Sequence, residues 1–109
     1  MEIVIRQGDV FWTSFPEPLG DRPAVVLTRT PAIRKLTNVT VVPLTSVFRA
    51  VPAEVVISTE CGLSRESIAN LDNILTVPKS DLRDRAGTIS AEELDEIMQA
   101  FHFVFDMPF

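Results

Sequence analysis

Apolar positions recur along this chain in two rhythms. Up to Ile89 they come in short runs broken by proline, glycine and charge; from Ser90 onward they return every three or four residues. Short runs bounded by turn residues read as strands. Gly8–Phe15 (GDVFWTSF) is a turn followed by a strand, in which one of the adjacent pair Phe11 and Trp12 faces the core and the other faces out. The loop Pro16–Asp21, with two prolines and a glycine, stops it. Arg22–Arg29 (RPAVVLTR) is a second strand, where Pro23 fits only at the start or an edge. Thr30–Asn38 is a connector with room for a turn of helix. Val39–Ser46 (VTVVPLTS) is a third strand, rich in β-branched residues, and Ala53–Ser58 a fourth. Ser67–Pro78 contains a fifth strand and a turn, and Ala86–Ile89 is a short last one.

The second rhythm is a helix. Ser90 and Glu93 have the spacing of a capping box. Leu94, Ile97, Met98, Phe101, Val104 and Phe105 form one apolar stripe, and Glu92, Glu93, Asp95 and Glu96 crowd the first turns, where they complement the helix dipole. Several short strands followed by one amphipathic helix predict a mainly β fold with α, a small, strongly bent SH3-like barrel with the helix packed on it. The whole chain, residues 1–109, suits a single domain. No apolar run approaches the ~20 residues that span a bilayer. The opening MEIVIRQGDVFW has an acid where a signal peptide has basic residues, and no small-residue cleavage site. A cytoplasmic protein with no membrane association is the expectation.

Residue inventory narrows the chemistry. Cys61 is the one cysteine and His102 the one histidine, too few for a Cys/His zinc site, for an internal disulfide or for a two-histidine acid–base pair. No cofactor is expected. A Cys61–His102 nucleophile pair is formally available, but Cys61 sits in a turn-like stretch and His102 near a helix end. The net charge is −5, which disfavours nucleic acid as a partner, yet the charge is uneven: residues 1–50 carry six basic and four acidic residues, whereas residues 51–109 carry four basic and eleven acidic. The first half can therefore present a cationic face.

Chemistry then falls to arginine, hydroxyls and carboxylates. Arg22 stands in front of the apolar run Ala24–Leu27, and the third strand ends in Thr45 and Ser46. If these strands pair antiparallel, Arg22 and Thr45 meet at one edge of the sheet. An arginine beside a hydroxyl can hold a phosphodiester and stabilise charge developing on it. On spacing alone a plainer reading stands beside it: Arg22 closes a hairpin loop and Thr45 ends a strand. Trp12 offers a face for stacking on an unpaired base or for packing in a dimer, and Arg29, Arg34, Lys35 and Arg49, with the Ser46 hydroxyl, offer phosphate contacts; a solvated surface is the plainer reading of each cation. Glu17 and Asp21 flank Arg22 as possible proton carriers.

Five segments in order, GDVFW, RPAVVLTR, VVPLTS, ESIANLDNILTVPKSDL and AGTISAEELDEIMQAF, give the chain a resemblance to the MazF/PemK family of toxin–antitoxin ribonucleases from about Arg6 to Phe105. The resemblance implies a CcdB-like barrel, a homodimer with RNA grooves across its interface, and metal-independent, sequence-selective cleavage of single-stranded RNA that inhibits translation and growth. The RNA would be messenger RNA, with ribosomal or transfer RNA as alternatives, and its ends a 2′,3′-cyclic phosphate and a 5′-hydroxyl. It implies catalytic roles for Arg22 and Thr45, RNA contacts at Trp12, Arg29, Ser46 and Arg49, and control by a MazE-like antitoxin with a disordered tail. The loop Pro16–Asp21 is shorter than in many relatives. A CcdB-like poison that binds DNA gyrase is the alternative on the same fold. Such proteins act through the end of the last helix, and the ending FHFVFDMPF lacks their polar-then-Trp pattern. A plain interaction barrel is the third possibility.

Overall fold

The computed structural model describes Val4–Asp106; Met1–Ile3 and Met107–Phe109, and with them parts of the opening and closing segments read above, lie outside the described residues. The strands are β1 (Asp9–Ser14), β2 (Asp21–Val26), β3 (Asn38–Thr45), β4 (Glu54–Ile57), β5 (Ser67–Asn70), β6 (Leu75–Pro78) and β7 (Leu82–Thr88); a four-residue α1 (Thr30–Ile33) joins β2 to β3, and α2 (Ala91–Phe105) ends the fold. Every pairing is antiparallel. The order is β4-β5-β3-β2-β1-β7, with β6 also on β3.

The mainly β architecture with a final helix is as the hydrophobic pattern predicts. The barrel itself is not closed, because β4 and β7 at the two ends of the order do not pair. They are drawn together instead where the 3-10 turn Thr59–Cys61, just after β4, meets β7. At Gly62 an added Cβ would collide with the Ala86 carbonyl, and at Gly87 with the Cys61 carbonyl. Only glycine allows the two main chains to lie this close.

Two strand assignments differ from the sequence reading. The segment Ser67–Pro78 holds two strands, β5 and β6, both on the same edge of β3. Leu44 faces Ala69 and Val41 faces Leu75, so the register jumps by the three residues of the 3-10 turn Leu71–Asn73. The last strand begins at Leu82 rather than Ala86. Its charged Arg83, Asp84 and Arg85 hide it from a hydrophobic pattern, since an edge strand paired on one side can carry charge on its exposed residues. Arg85 also has a partner: the buried Asp9 carboxylate accepts from Arg85 Nη2 at 3.0 Å, Thr88 Oγ1 at 2.8 Å and the Arg6 amide at 2.9 Å.

Side chains from both faces of the central strands are buried, which is why β2 and β3 read as continuous apolar runs. Val10, Val25, Val42 and Leu44 pack with Val55, Ile57, Leu71 and, from α2, Ile97 and Ala100. Phe11, Ala24, Val26, Val39 and Val41 pack with Val77 and Leu82 on the other face. Phe11 is the inward member of its pair and Trp12 the outward one, 38% exposed. On α2 the stripe is partly used: Ile97 is buried and Leu94 and Val104 pack on the core, whereas Phe105 remains 49% exposed.

The capping box is present, with Ser90 Oγ accepting from the Glu93 amide at 3.1 Å and the Glu93 carboxylate accepting from the Ser90 amide at 3.0 Å. The same carboxylate accepts from the Ser58 amide at 2.7 Å, tying the helix start to the end of β4. Burial pushes the Glu93 carboxyl up, but the hydrogen bonds from Ser58 and Ser90 outweigh it and hold its pKa below the usual value. A folded-state pKa below the unfolded one gives stability that is present at neutral pH and lost as pH falls through the folded pKa. Glu93→Gln is therefore expected to cost about 1–2 kcal/mol at pH 7 and to flatten the loss of stability between roughly pH 5 and 3, read by urea unfolding. A variant with wild-type stability across that range would contradict this account.

Candidate active site

The site follows from where the β2–β3 ladder stops. Val26 faces Val41, Val25 faces Val42 and Ala24 faces Pro43, and there the pairing ends. Pro23 and Pro43 both lie on this stretch, and neither has an N–H for a ladder. Two residues further along the same register, Arg22 and Thr45 stand across from each other. Between the parting strands is a cleft of about 330 Å³ lined by Leu19, Arg22, Pro43, Thr45 and Asn73. The lining has one cation, one hydroxyl, one carboxamide and no carboxylate, a composition suited to an anion.

Arg22 and Thr45 are each held by one bond that leaves their other polar atoms free. Arg22 Nε donates to the Leu19 carbonyl at 3.1 Å, which fixes the guanidinium plane and leaves the two terminal nitrogens for a bidentate partner. Leu19 is itself held by the turn Pro16–Gly20, where its amide donates to the Pro16 carbonyl at 3.1 Å. Thr45 Oγ1 accepts from the Val47 amide at 3.2 Å, so its own proton remains to be donated. Asp21 does not neutralise Arg22: its carboxylate pairs with Arg83 of β7 at 2.8 Å.

Of the six residues to which the family resemblance assigns roles, the structure brings Arg22 and Thr45 together. Ser46 and Arg49 follow Thr45 on the exposed β3–β4 connection. Trp12 lies opposite Pro23 whereas Arg22 lies opposite Thr13, so Trp12 and Arg22 are on opposite faces of the β1–β2 pair. Arg29 sits beyond the other end of β2 and lines a different cavity of about 240 Å³ with Gln7, Leu27, Ile97, Met98 and Phe101. Asn73 is a cleft residue within the turn that the sequence reading placed in Ser67–Pro78. Its position comes from the three-residue jump in the edge of β3, which no local pattern announces. The Cys61 thiol is buried and donates to the Ser58 carbonyl at 3.3 Å, while His102 is exposed on α2. Among the described residues, no three His, Cys, Asp or Glu side chains are grouped to hold a metal ion.

Residues 6–105 match the family model of PemK-like, MazF-like toxins of type II toxin–antitoxin systems. The chain belongs to this family. Among curated relatives, Endoribonuclease MazF3 of Mycobacterium tuberculosis is 35% identical over 86 residues, covering 79% of this chain and 84% of the relative. Among solved structures, the Mycobacterium tuberculosis toxin MazF-mt6 superposes with a TM-score of 0.85 at 30% identity, covering 93% of this chain and 99% of that one. A mycobacterial endoribonuclease in complex with its cognate antitoxin shares the fold, with a TM-score of 0.83 at 24% identity over 96% of this chain and 98% of that one.

For this PemK/MazF-family chain, the geometry makes Arg22 and Thr45 rim residues rather than supports of the core. Arg22→Ala and Thr45→Ala are each expected to stay folded, losing within about 1 kcal/mol. Circular dichroism and urea unfolding check this, and an unfolded Arg22→Ala would make its bond to Leu19 the residue's main role.

Proposed function

We propose that this chain is the endoribonuclease toxin of a type II toxin–antitoxin pair and cuts single-stranded RNA at the Arg22–Thr45 cleft. The observation that carries the reading is the acid-free cleft in which a bidentate-ready arginine faces a hydroxyl with a free proton. RNA brings its own nucleophile. The 2′-oxygen attacks the adjacent phosphorus, the bond from phosphorus to the 5′-oxygen breaks, and the 2′-proton is lost as the 5′-oxygen gains one. The products are a 2′,3′-cyclic phosphate and a 5′-hydroxyl. Arg22 binds two non-bridging oxygens and stabilises the charge that grows on them, where a preorganised cation is worth most. Thr45 donates to the phosphate or orients the 2′-hydroxyl.

The assembly that goes with this activity is a homodimer held in check by an antitoxin. The antitoxin's acidic, disordered tail would fold over the cleft, its carboxylates taking the place of RNA phosphates. Such a tail competes with RNA, and its binding weakens with salt. No helix among the described residues is long and apolar enough to cross a membrane, and the cytoplasm, where translated RNA lies, is the compartment this activity requires.

Incubating the purified protein with a long RNA in excess EDTA, then mapping the ends, tests the proposal. Discrete cuts with cyclic-phosphate and 5′-hydroxyl ends are expected, with Arg22→Ala losing most activity and Arg22→Lys failing to restore it, because a point charge does not replace the planar fork. Cleavage that requires a divalent ion, or that leaves 5′-phosphates, would overturn it.

A further inference from the structure

The chain leaves the cleft at Thr45 and runs to β4 through a connection with an unusual surface. Val47, Phe48 and Val51 are 50%, 59% and 41% exposed, with Arg49 among them. The Arg49 guanidinium has no hydrogen bond or ion pair with another described residue. An apolar group displayed in this way needs a device to keep it from collapsing onto the core, and Glu54 supplies it. The Glu54 carboxylate accepts from the Arg49 amide at 3.0 and 3.1 Å, one bond to each oxygen, and from the Val51 amide at 3.2 Å. Ala50, between those donors, takes a left-handed backbone at φ 56°, a conformation that alanine adopts at a cost. The Val51 carbonyl accepts in return from the Glu54 amide at 3.0 Å. The main chain is wrapped around one carboxylate, and the side chains of Phe48 and Arg49 are exposed.

We propose that this connection is a base-binding platform of the ribonuclease site: Phe48 stacks on a base flanking the scissile phosphate, Arg49 takes that nucleotide's phosphate, and Glu54 is the positioning residue that holds both. The proposal rests on the ribonuclease reading above. Phe48 is three residues from Thr45, at most about 10 Å of chain, within reach of a nucleotide next to one bound in the cleft. An aromatic face with an unpaired cation next to it matches a base joined to a phosphate. A platform with fixed geometry selects among flanking bases by stacking strength and shape, which makes this connection a determinant of cut-site choice.

The test compares wild type, Phe48→Ala, Phe48→Trp, Glu54→Gln and Arg22→Ala on one long RNA. It measures kcat, KM and the pattern of cut sites, with light scattering for mass. Phe48→Ala is expected to raise KM about tenfold, with a far smaller change in kcat, and to blur the flanking-base preference; Phe48→Trp restores both. Glu54→Gln, which presents an amide where a carboxylate gathers two N–H groups, is expected to shift KM and cut pattern in the same direction. A Phe48→Ala protein with wild-type KM and cut sites, alongside an inactive Arg22→Ala, overturns the platform and leaves the ribonuclease reading intact. A Phe48→Ala defect that tracks a change in mass assigns the patch to a contact between copies and likewise overturns it. A wild type that cuts no RNA overturns the ribonuclease reading and the platform with it.

Discussion

The antiparallel register of β2 on β3 is the constraint on which the site depends. Three consecutive pairs, ending at Ala24 and Pro43, fix the two strands against each other. Beyond them Arg22 and Thr45 face one another without being laced together. The apolar side chains that hold this register, Ala24, Val26 and Val41 on one face and Val25, Val42 and Leu44 on the other, are 0–3% exposed. A slip of either strand by one residue would turn its whole apolar set to the wrong face. The Arg22–Thr45 pair is therefore positioned by the core itself, and only the last few ångströms are set by local bonds to Leu19 and from the Val47 amide.

The rest of the molecule keeps that ladder at the centre of an unclosed sheet. β1 covers the outer edge of β2, and β5 and β6 share the other edge of β3, with the turn Leu71–Asn73 between them placing Asn73 in the cleft. The free ends of the sheet are joined by main-chain contact at Gly62 and Gly87 and by the Glu93 carboxylate, which bridges α2 and the end of β4. The charged bonds thus lie at the periphery of the sheet, around a site whose cation has no acidic neighbour in its lining.

Local chemistry was legible in the sequence where it is encoded in neighbouring residues. The Ser90–Glu93 capping box, the in-and-out split of the Phe11–Trp12 pair and the apolar runs of β2 and β3 all report local forces, and pairing those runs antiparallel was enough to bring Arg22 near Thr45. What escaped was set by distant parts of the chain. β7 is an edge strand with a charged surface, so its first half carries no apolar signal. β5 and β6 are separate because β3 changes partner along one edge. Arg29 was grouped with the cleft by its closeness in sequence to Arg22, yet a strand carries the two to opposite ends of the sheet. Glu54 lies within a segment legible only as a strand, and its clasp on the Arg49 and Val51 amides goes with the left-handed turn at Ala50.

In the proposed reaction Arg22 and Thr45 act on one phosphate. A double-mutant cycle on kcat/KM for RNA cleavage, using Arg22→Ala, Thr45→Ala and the double variant, tests it most directly. If both side chains grip the same phosphodiester, removing the second after the first costs little more, and the coupling exceeds about 1 kcal/mol. Losses that simply add, or a double variant that still cuts RNA at near the wild-type rate, would contradict it.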